Sequence, residues 1–259
     1  MMAAVKAASV LITGANRGLG LEMVKQILEA PCPKRQIFAG CRDPHGPKSE
    51  ALRELAKQHP NVLTITHLDV TDLSSIKEAA NKVSSSLGTR GLNLLVNNAA
   101  LCSRGTLMTV KAERMRDMFN TNVIGTLSVI REFLPYLQTA ARASDISGMS
   151  CDKAAVINIS SIGGSVSSMP GIYHQFPLLP YCVSKAGLNM LTALAAHELK
   201  ADEILCMAIH PGWVKTDMGG EKAVIETRDS VAGLLKVMSN STENEHGGFM
   251  DYTGQTMPW

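Results

Sequence analysis

The sequence lacks the features that mark membrane-spanning, metal-binding and disulfide-linked proteins. No apolar stretch approaches the roughly 20 residues that a transmembrane helix needs, and the first apolar run, Val10-Leu11-Ile12, is too short for a secretory signal. Six cysteines are scattered without a CxxC pair or a metal-ligand spacing, so we expect reduced thiols and no metal site. A formal net charge of only +2 argues against nucleic acid or an anionic membrane as a partner. We therefore expect a cytoplasmic protein.

Apolar runs alternate with amphipathic stretches along the whole chain, and 45% of its residues are hydrophobic. Alternation of this kind predicts an α/β fold, a doubly wound parallel sheet of the Rossmann type with helices on both faces. Neither an internal repeat nor a linker rich in Pro, Gly or Ser interrupts the pattern. We therefore predict that residues 1–259 form a single domain.

The predicted elements follow from hydrophobic periodicity. Strands are expected near residues 8–13, 37–41, 62–66, 92–96, 155–159, 204–209 and 249–252. Helices are expected near 21–28, 48–57, 72–86, 111–138, 182–199 and 229–238. Residues 139–153 are small and polar and are expected to form an exposed loop.

A glycine-rich loop is the first chemical motif. Gly14, Gly18 and Gly20 follow the first strand and open a helix. Such glycines let the backbone turn tightly and approach a pyrophosphate, which rests on the helix N-terminus. A turn that merely packs helix on strand is the structural alternative, but the strand-loop-helix context favours dinucleotide binding. The candidate contacts in the loop are Gly14, Asn16, Arg17 and Leu19.

Arg42 lies at the predicted end of the second strand, where an NAD-binding protein usually has an acid for the ribose 2′-hydroxyl. An arginine there suits the 2′-phosphate of NADP, and Arg17 could add a second positive charge. Asp43 would put an acid at this place if the strand ended one residue later. The other alternative is that Arg17 and Arg42 are solvated surface residues that do not bind a cofactor. The cofactor that this pattern favours is NADP.

Tyr181 and Lys185 stand four residues apart at the start of a predicted helix, so they share one helix face. The hydroxyl of tyrosine has an ordinary pKa of about 10, and a nearby cation favours its phenolate and lowers that pKa. A Tyr-Lys pair is therefore a candidate acid/base device near neutral pH. Helices often carry this spacing with no function, so the pair gains its weight from the motifs around it.

Taken together, the motifs resemble the short-chain dehydrogenase/reductase family over nearly the whole chain. Within that family the run from His210 to Met218 and the segment from Gly248 to Trp259 resemble the sniffer-like and C-factor-like carbonyl reductases. The family motifs, in order, are Thr13-Gly14-Ala-Asn-Arg-Gly18-Leu-Gly20, Leu68-Asp69-Val70, Asn97-Asn98-Ala99, Asn122 in Asn-Val-Ile-Gly125, Ser161, Tyr181 to Lys185, and Pro211-Gly212-Trp-Val-Lys-Thr216.

The resemblance implies a role for each matched residue. Tyr181 would be the proton donor in reduction, Lys185 would lower its pKa and hold the nicotinamide ribose, and Ser161 would hydrogen-bond the substrate oxygen. Asn122 would hold a water that links Lys185 to solvent. The implied catalytic residues are thus Asn122, Ser161, Tyr181 and Lys185. The further implied cofactor contacts are Asp69 and Val70 at the adenine, Asn98 along the cleft, and Val214 and Thr216 at the nicotinamide carboxamide.

The expected function is therefore NADPH-dependent reduction of aldehydes, ketones or quinones, performed by a homodimer. Two alternatives come from other classes of protein. A sugar-nucleotide epimerase or dehydratase also uses Tyr-x-x-x-Lys, although the loop spacing and the short C-terminal part argue against it. A dinucleotide-binding regulator with little turnover would be expected to lack the Tyr, the Lys or the Ser, and none is missing.

One stretch departs from the family pattern. Ser161 and Tyr181 are unusually far apart, and a segment of about residues 172–180 appears as an insertion between them. Pro177 and Pro180 predict that it forms neither a regular helix nor a central strand. Its Tyr173 rivals Tyr181 as the acid, but Pro177 stands where a lysine would be needed. We expect the segment to wall an apolar substrate pocket, with a surface or subunit contact as the alternative.

Overall fold

A seven-stranded, wholly parallel sheet forms the centre of the computed structural model, which describes residues 5–30, 32 and 34–259. The strands are β1 Ser9–Thr13, β2 Gln36–Cys41, β3 Leu63–His67, β4 Leu94–Asn97, β5 Ala155–Ile159, β6 Leu205–His210 and β7 Phe249–Asp251. The helices are α1 Gly18–Glu29, α2 Glu50–Gln58, α3 Leu73–Leu87, α4 Ala112–Phe119, α5 Thr126–Ala143, α6 Met169–Ile172, α7 Leu179–Leu199 and α8 Thr227–Asn240.

The strand order β3-β2-β1-β4-β5-β6-β7 confirms the predicted doubly wound sheet. The direction of winding reverses between β1 and β4, which pair in parallel. In open α/β sheets the crevice outside the carboxyl ends of the strands at such a reversal is the usual ligand site. The loops that follow β1 and β4 carry the glycines and Asn98, so the topology brings these two motifs together.

Helices cover both faces of the sheet, and each face has its own apolar core. On one face α1 and α8 contribute Met23 and Leu234, and on the other α3 and α5 contribute Ile76 and Phe133, all fully or almost fully buried. The strands contribute residues to both cores, and β1 and β5 are buried along their whole length. Strands covered on both sides read as short continuous apolar runs, which is why they could be predicted.

The helical region predicted at 111–138 is broken in its middle by a π-helical turn over Asn120–Gly125. Single π turns inside helices often occur at functional sites. Here Gly125 lies against the backbone of Val70, because a Cβ at Gly125 would stand 2.6 Å from the Val70 carbonyl oxygen. The turn thereby joins the helix to the loop after β3.

The exposed loop predicted at 139–153 is wrong in two respects. Helix α5 continues to Ala143, and Cys151 and Lys153 are buried against the sheet. Lys153, the last residue of the predicted loop, has a covered stem, and its ammonium reaches the carboxylate of Glu203.

Among the helices of the described residues, none combines the length and the apolar character that crossing a bilayer requires.

Candidate active site

The glycine loop is held closely by the end of β4. Gly14 has φ +64°, and a Cβ there would lie 2.9 Å from the Cα of Ala99. The amide of Asn98 donates hydrogen bonds of 2.9 and 3.1 Å to the carbonyl oxygens of Thr13 and Gly14. Asn98 therefore fixes the shape of the loop, and only a glycine fits position 14.

The loop faces the segment that follows β6. A Cβ at Gly18 would lie 3.5 Å from the methyl group of Thr216, so the two motifs are the opposite sides of one cleft. Arg17 crosses this cleft, and its guanidinium lies 2.8 Å from the carboxylate of the exposed Asp217. Arg17 is thus engaged with a carboxylate in this conformation.

The side chains of Arg42 and Asp43 have different surroundings. Arg42 comes directly after β2 and is exposed. The carboxylate of Asp43 accepts a 2.8 Å hydrogen bond from the backbone amide of Gly46, three residues further along the chain. The acid that competed with Arg42 in the sequence is therefore committed to a local turn.

Three other predicted cofactor contacts, Asp69, Val214 and Thr216, are held by local contacts in the loops after β3 and β6. Asp69 accepts hydrogen bonds of 2.9 and 2.7 Å from the amide and hydroxyl of Thr71, which fixes the loop after β3. Val214 is buried and pairs with Ile225. The hydroxyl of Thr216 accepts a 3.1 Å hydrogen bond from the amide of Gly219.

The two serines after β5 point in different directions. The hydroxyl of Ser160 donates a 2.5 Å hydrogen bond to Asn189 on α7 and is buried. The hydroxyl of Ser161 caps the turn that follows, accepting a 3.0 Å hydrogen bond from Gly163, and it lies close enough to Tyr181 to lower the pKa of that tyrosine. Ser161 is therefore the serine that lies beside Tyr181, and the catalytic roles of the two residues stay predictions.

Tyr181 and Lys185 share one face of α7, as their spacing predicted. Lys185 is 2% exposed, its ammonium donates a 2.7 Å hydrogen bond to the carbonyl oxygen of Ile159, and it lies 5.7 Å from the centre of the Tyr181 ring. Burial lowers the pKa of Lys185 to about 8. Burial also raises the pKa of the half-buried Tyr181, and Cys102 raises it further, whereas the hydrogen bond with Ser161 lowers it. The lowered pKa that the Tyr-Lys spacing predicted for Tyr181 is therefore wrong for this structure, because the effect of burial is the largest one.

Asn122 lies in the π turn, and its side-chain amide is hydrogen-bonded to neighbouring groups. Its amide donates 2.9 Å hydrogen bonds to the carbonyl oxygen of Leu101 and to the hydroxyl of Ser184, and accepts one of 2.8 Å from the amide of Leu101. The side chain thus ties the loop after β4 to α7. The water-mediated route from Lys185 to solvent stays a prediction.

Three residues near the pair were not among the predicted site residues. Cys102 and Cys182 lie close enough to Tyr181 for their charges to act on it, and burial raises the pKa of Cys182 to about 11. His210 ends β6, and burial lowers its pKa to about 4, an effect that Asp251 opposes. Cys102 and His210 are distant from Tyr181 in sequence, so only the fold brings them to the site, whereas Cys182 follows Tyr181 directly in the chain.

The segment at 172–180 is more regular than predicted. A turn of 3-10 helix covers Tyr173–Gln175, and Pro180 lies within the first turn of α7, where a missing amide hydrogen costs nothing. The ring of Phe176 meets that of Trp213 edge to face at 5.0 Å. The segment and the loop after β6 are therefore in contact.

Comparison with known proteins identifies the family. The family model described as short chain dehydrogenase matches residues 8–224. The chain belongs to the short chain dehydrogenase family. An NADPH-bound carbonyl reductase from chicken fatty liver is 44% identical, covers 100% of this chain and 96% of its own, and superposes with a TM-score of 0.95.

Two further relatives agree with this family. The carbonyl reductase Sniffer of Drosophila melanogaster is 33% identical, covers 98% of this chain and 100% of its own, and has a TM-score of 0.92. An uncharacterized oxidoreductase of Schizosaccharomyces pombe is 31% identical over 96% of each chain. The resemblance to sniffer-like carbonyl reductases that the sequence motifs indicated is confirmed, and the protein is an oxidoreductase of this family.

Proposed function

We propose that the protein is an NADPH-dependent carbonyl reductase that converts aldehydes, ketones or quinones to alcohols. The observation that carries the proposal is the meeting of Ser161, Tyr181 and Lys185 at the carboxyl end of β5, beside the glycine-loop cleft. The chicken protein whose structure is so similar is an NADPH-bound carbonyl reductase, which supports the same activity here.

The residues of the cleft fit an NADP molecule. The glycine loop and the amino end of α1 would take the pyrophosphate, and Val214 and Thr216 the nicotinamide end. The exposed guanidinium of Arg42 would take the 2′-phosphate, since Asp43 is turned away. When bound, the nicotinamide supplies a hydride to the substrate carbon.

The protein's own residues would donate the proton and bind the substrate oxygen. Ser161 donates a fixed hydrogen bond to the carbonyl oxygen, where negative charge develops. The buried Tyr181 keeps its proton at neutral pH and gives it to that oxygen. Lys185, charged below about pH 8, stabilises the phenolate that remains. Asn122 holds the backbone of Leu101 in place, because its side-chain oxygen accepts a hydrogen bond from the Leu101 amide.

The test is NADPH oxidation by the purified protein with a panel of aldehydes, ketones and quinones. Turnover with several members of the panel supports a reductase. A protein that binds NADPH but turns over no member of the panel would instead support the alternative, a dinucleotide-binding regulator with little activity.

We further propose a homodimer formed through α5 and α7. Met190 and Leu194 on α7 are 62% and 58% exposed, and Ile124 and Leu127 extend the apolar surface. Such a surface is expected to be covered by a second copy. Sedimentation at micromolar concentration should give a dimer that Met190→Glu dissociates and that Leu73→Glu, on the exposed face of α3, leaves intact. A monomeric unaltered protein would contradict the proposal.

A further inference from the structure

An ion pair between Arg17 and Asp217 joins the glycine loop to the loop after β6. The guanidinium of Arg17 lies 2.8 Å from the carboxylate of Asp217, and both side chains are exposed. The same two loops also touch one residue further along, because a Cβ at Gly18 would lie 3.5 Å from the methyl group of Thr216. The ion pair is therefore the solvent-facing part of a contact between segments that are 200 residues apart in the chain.

Asp217 belongs to a turn that its neighbours hold closed. The amides of Gly219 and Gly220 donate hydrogen bonds of 3.1 and 2.9 Å to the hydroxyl and the carbonyl oxygen of Thr216. The indole of Trp213 donates one of 2.8 Å to the carbonyl oxygen of Gly219. Because these bonds fix the shape of the turn, the turn is expected to move as a unit when the ion pair breaks.

The loop that carries this turn is closed at its base. Val214 pairs with Ile225, and the amide of Lys215 donates a 2.9 Å hydrogen bond to the carbonyl oxygen of Ile225. Trp213, at the start of the loop, packs against Phe176. A surface loop with a paired base and an exposed contact at its tip can open and close without disturbing the sheet.

The ion pair joins the two segments that would hold the dinucleotide in the proposed function. The glycine loop would take the pyrophosphate, and Val214 and Thr216 would take the nicotinamide end. A cofactor between these segments would have to pass the contact that closes them. The strength of that contact would therefore set how often the cleft opens.

We propose that Arg17 and Asp217 form a strap across the cofactor cleft, and that the dinucleotide enters and leaves when this ion pair opens. This inference rests on the dinucleotide binding of the proposed function. The strap joins the two loops whichever dinucleotide lies between them, so it acts on NADPH and NADH alike. Recognition of the 2′-phosphate, which NADH lacks, is left to Arg42.

Two other roles for Asp217 predict the opposite change in the rate of release. If its carboxylate merely repels the phosphates of the cofactor, Asp217→Asn should slow the dissociation of both dinucleotides. If it holds Arg17 back from the 2′-phosphate, the variant should slow the dissociation of NADPH and leave that of NADH unchanged. A strap predicts faster dissociation of both, so the sign of the change separates the three roles.

Stopped-flow fluorescence with NADPH and with NADH, in the absence of substrate, measures the rate constants of association and dissociation. Asp217→Asn is expected to raise both rate constants about two- to five-fold for either dinucleotide, which is the range that an exposed ion pair allows, while Kd changes little. In protein that already carries Arg17→Gln, adding Asp217→Asn should change neither rate constant, because the partner is gone.

Glu29→Gln is the matched control, since Glu29 forms another exposed ion pair, with Arg228, at the other end of α1. It should leave all four rate constants unchanged. Trypsin digestion of the cofactor-free protein gives a second readout, because Lys222 is exposed in the loop after β6. Cleavage after Lys222 should be about two- to five-fold faster in Asp217→Asn and unchanged in Glu29→Gln.

Slower or unchanged dissociation in Asp217→Asn would overturn the strap, as would a change confined to NADPH or an equal change in the Arg17→Gln background. Unchanged cleavage after Lys222 would also contradict it. If the unaltered protein binds neither dinucleotide, the strap and the cofactor site of the proposed function fall together. A protein that shows the expected rates but reduces no carbonyl compound would keep the strap and lose the proposed reductase.

Discussion

Lys185 and Ile159 join helix α7 to the end of strand β5. The ammonium of Lys185 donates a 2.7 Å hydrogen bond to the carbonyl oxygen of Ile159, two residues before Ser161. Lys185 is almost fully buried, so its charge has an energetic cost that this one hydrogen bond offsets only in part. The hydrogen bond positions Lys185 within 5.7 Å of the centre of the Tyr181 ring, whereas the burial of its charge weakens the fold.

The cost of burying Lys185 should appear in the pH dependence of stability. Burial lowers its pKa from 10.5 to about 8, so the unfolded chain binds this proton more tightly than the folded protein. The penalty is present in full below about pH 8 and is gone above pH 10.5. Relative to Lys185→Met, the unaltered protein should gain up to about 1.4 kcal/mol of unfolding free energy per pH unit between these values.

Urea unfolding at intervals from pH 7 to about pH 10 measures this difference. Lys57→Met, at an exposed position on α2, is the matched control and should give a curve parallel to that of the unaltered protein. A parallel curve for Lys185→Met as well would contradict a lowered pKa at Lys185.

Arg42 should determine the preference of the protein for NADPH over NADH. Arg17 is engaged with Asp217, and Asp43 with its own turn, so Arg42 is the charge left exposed at the end of β2. Loss of a charge-assisted contact costs about 1.5–3 kcal/mol, so Arg42→Ala should raise the Kd for NADPH about 10- to 100-fold and that for NADH little. Binding titrations check this, with Arg116→Ala on α4 as the control. Equal weakening of both dinucleotides would remove Arg42 from 2′-phosphate recognition.

The contact between Phe176 and Trp213 should govern access of large substrates. Phe176→Ala removes one half of an edge-to-face pair, so KM for bulky apolar ketones should rise several-fold while the Kd for NADPH stays the same. Steady-state kinetics over substrates of increasing size measure this, with Leu73→Ala on α3 as control. If KM is unchanged while the dimer dissociates, the segment is a subunit contact and does not wall the pocket.

The parts of the site that could be predicted from sequence are those with local signatures. The glycine loop follows a strand, and Tyr181 and Lys185 share a helix face, so their geometry follows from one element each. Ser160 and Ser161 could not be separated by spacing alone, because they are adjacent. Their opposite directions follow from the end of β5, where Ser160 meets Asn189 and Ser161 turns outward.

The parts that escaped prediction depend on contacts between distant segments. Cys102 follows β4 and His210 ends β6, and although His210 opens a motif of the predicted family, neither residue was assigned to the site. The buried Lys153 was misjudged because its partner, Glu203, lies fifty residues further along. The commitment of Asp43 to the turn at Gly46 likewise appears only in the fold.

The central claim is that Tyr181 gives the proton in carbonyl reduction, and Tyr181→Phe tests it most directly. Removing the hydroxyl deletes the acid but keeps the ring, so kcat should fall at least about 1000-fold, within the range ascribed to a positioned acid, while the Kd for NADPH changes little. Tyr173→Phe is the control for loss of a tyrosine hydroxyl nearby and should keep turnover of a simple ketone within about 10-fold of the unaltered protein. Near-normal kcat in Tyr181→Phe, with NADPH still bound, would contradict the account.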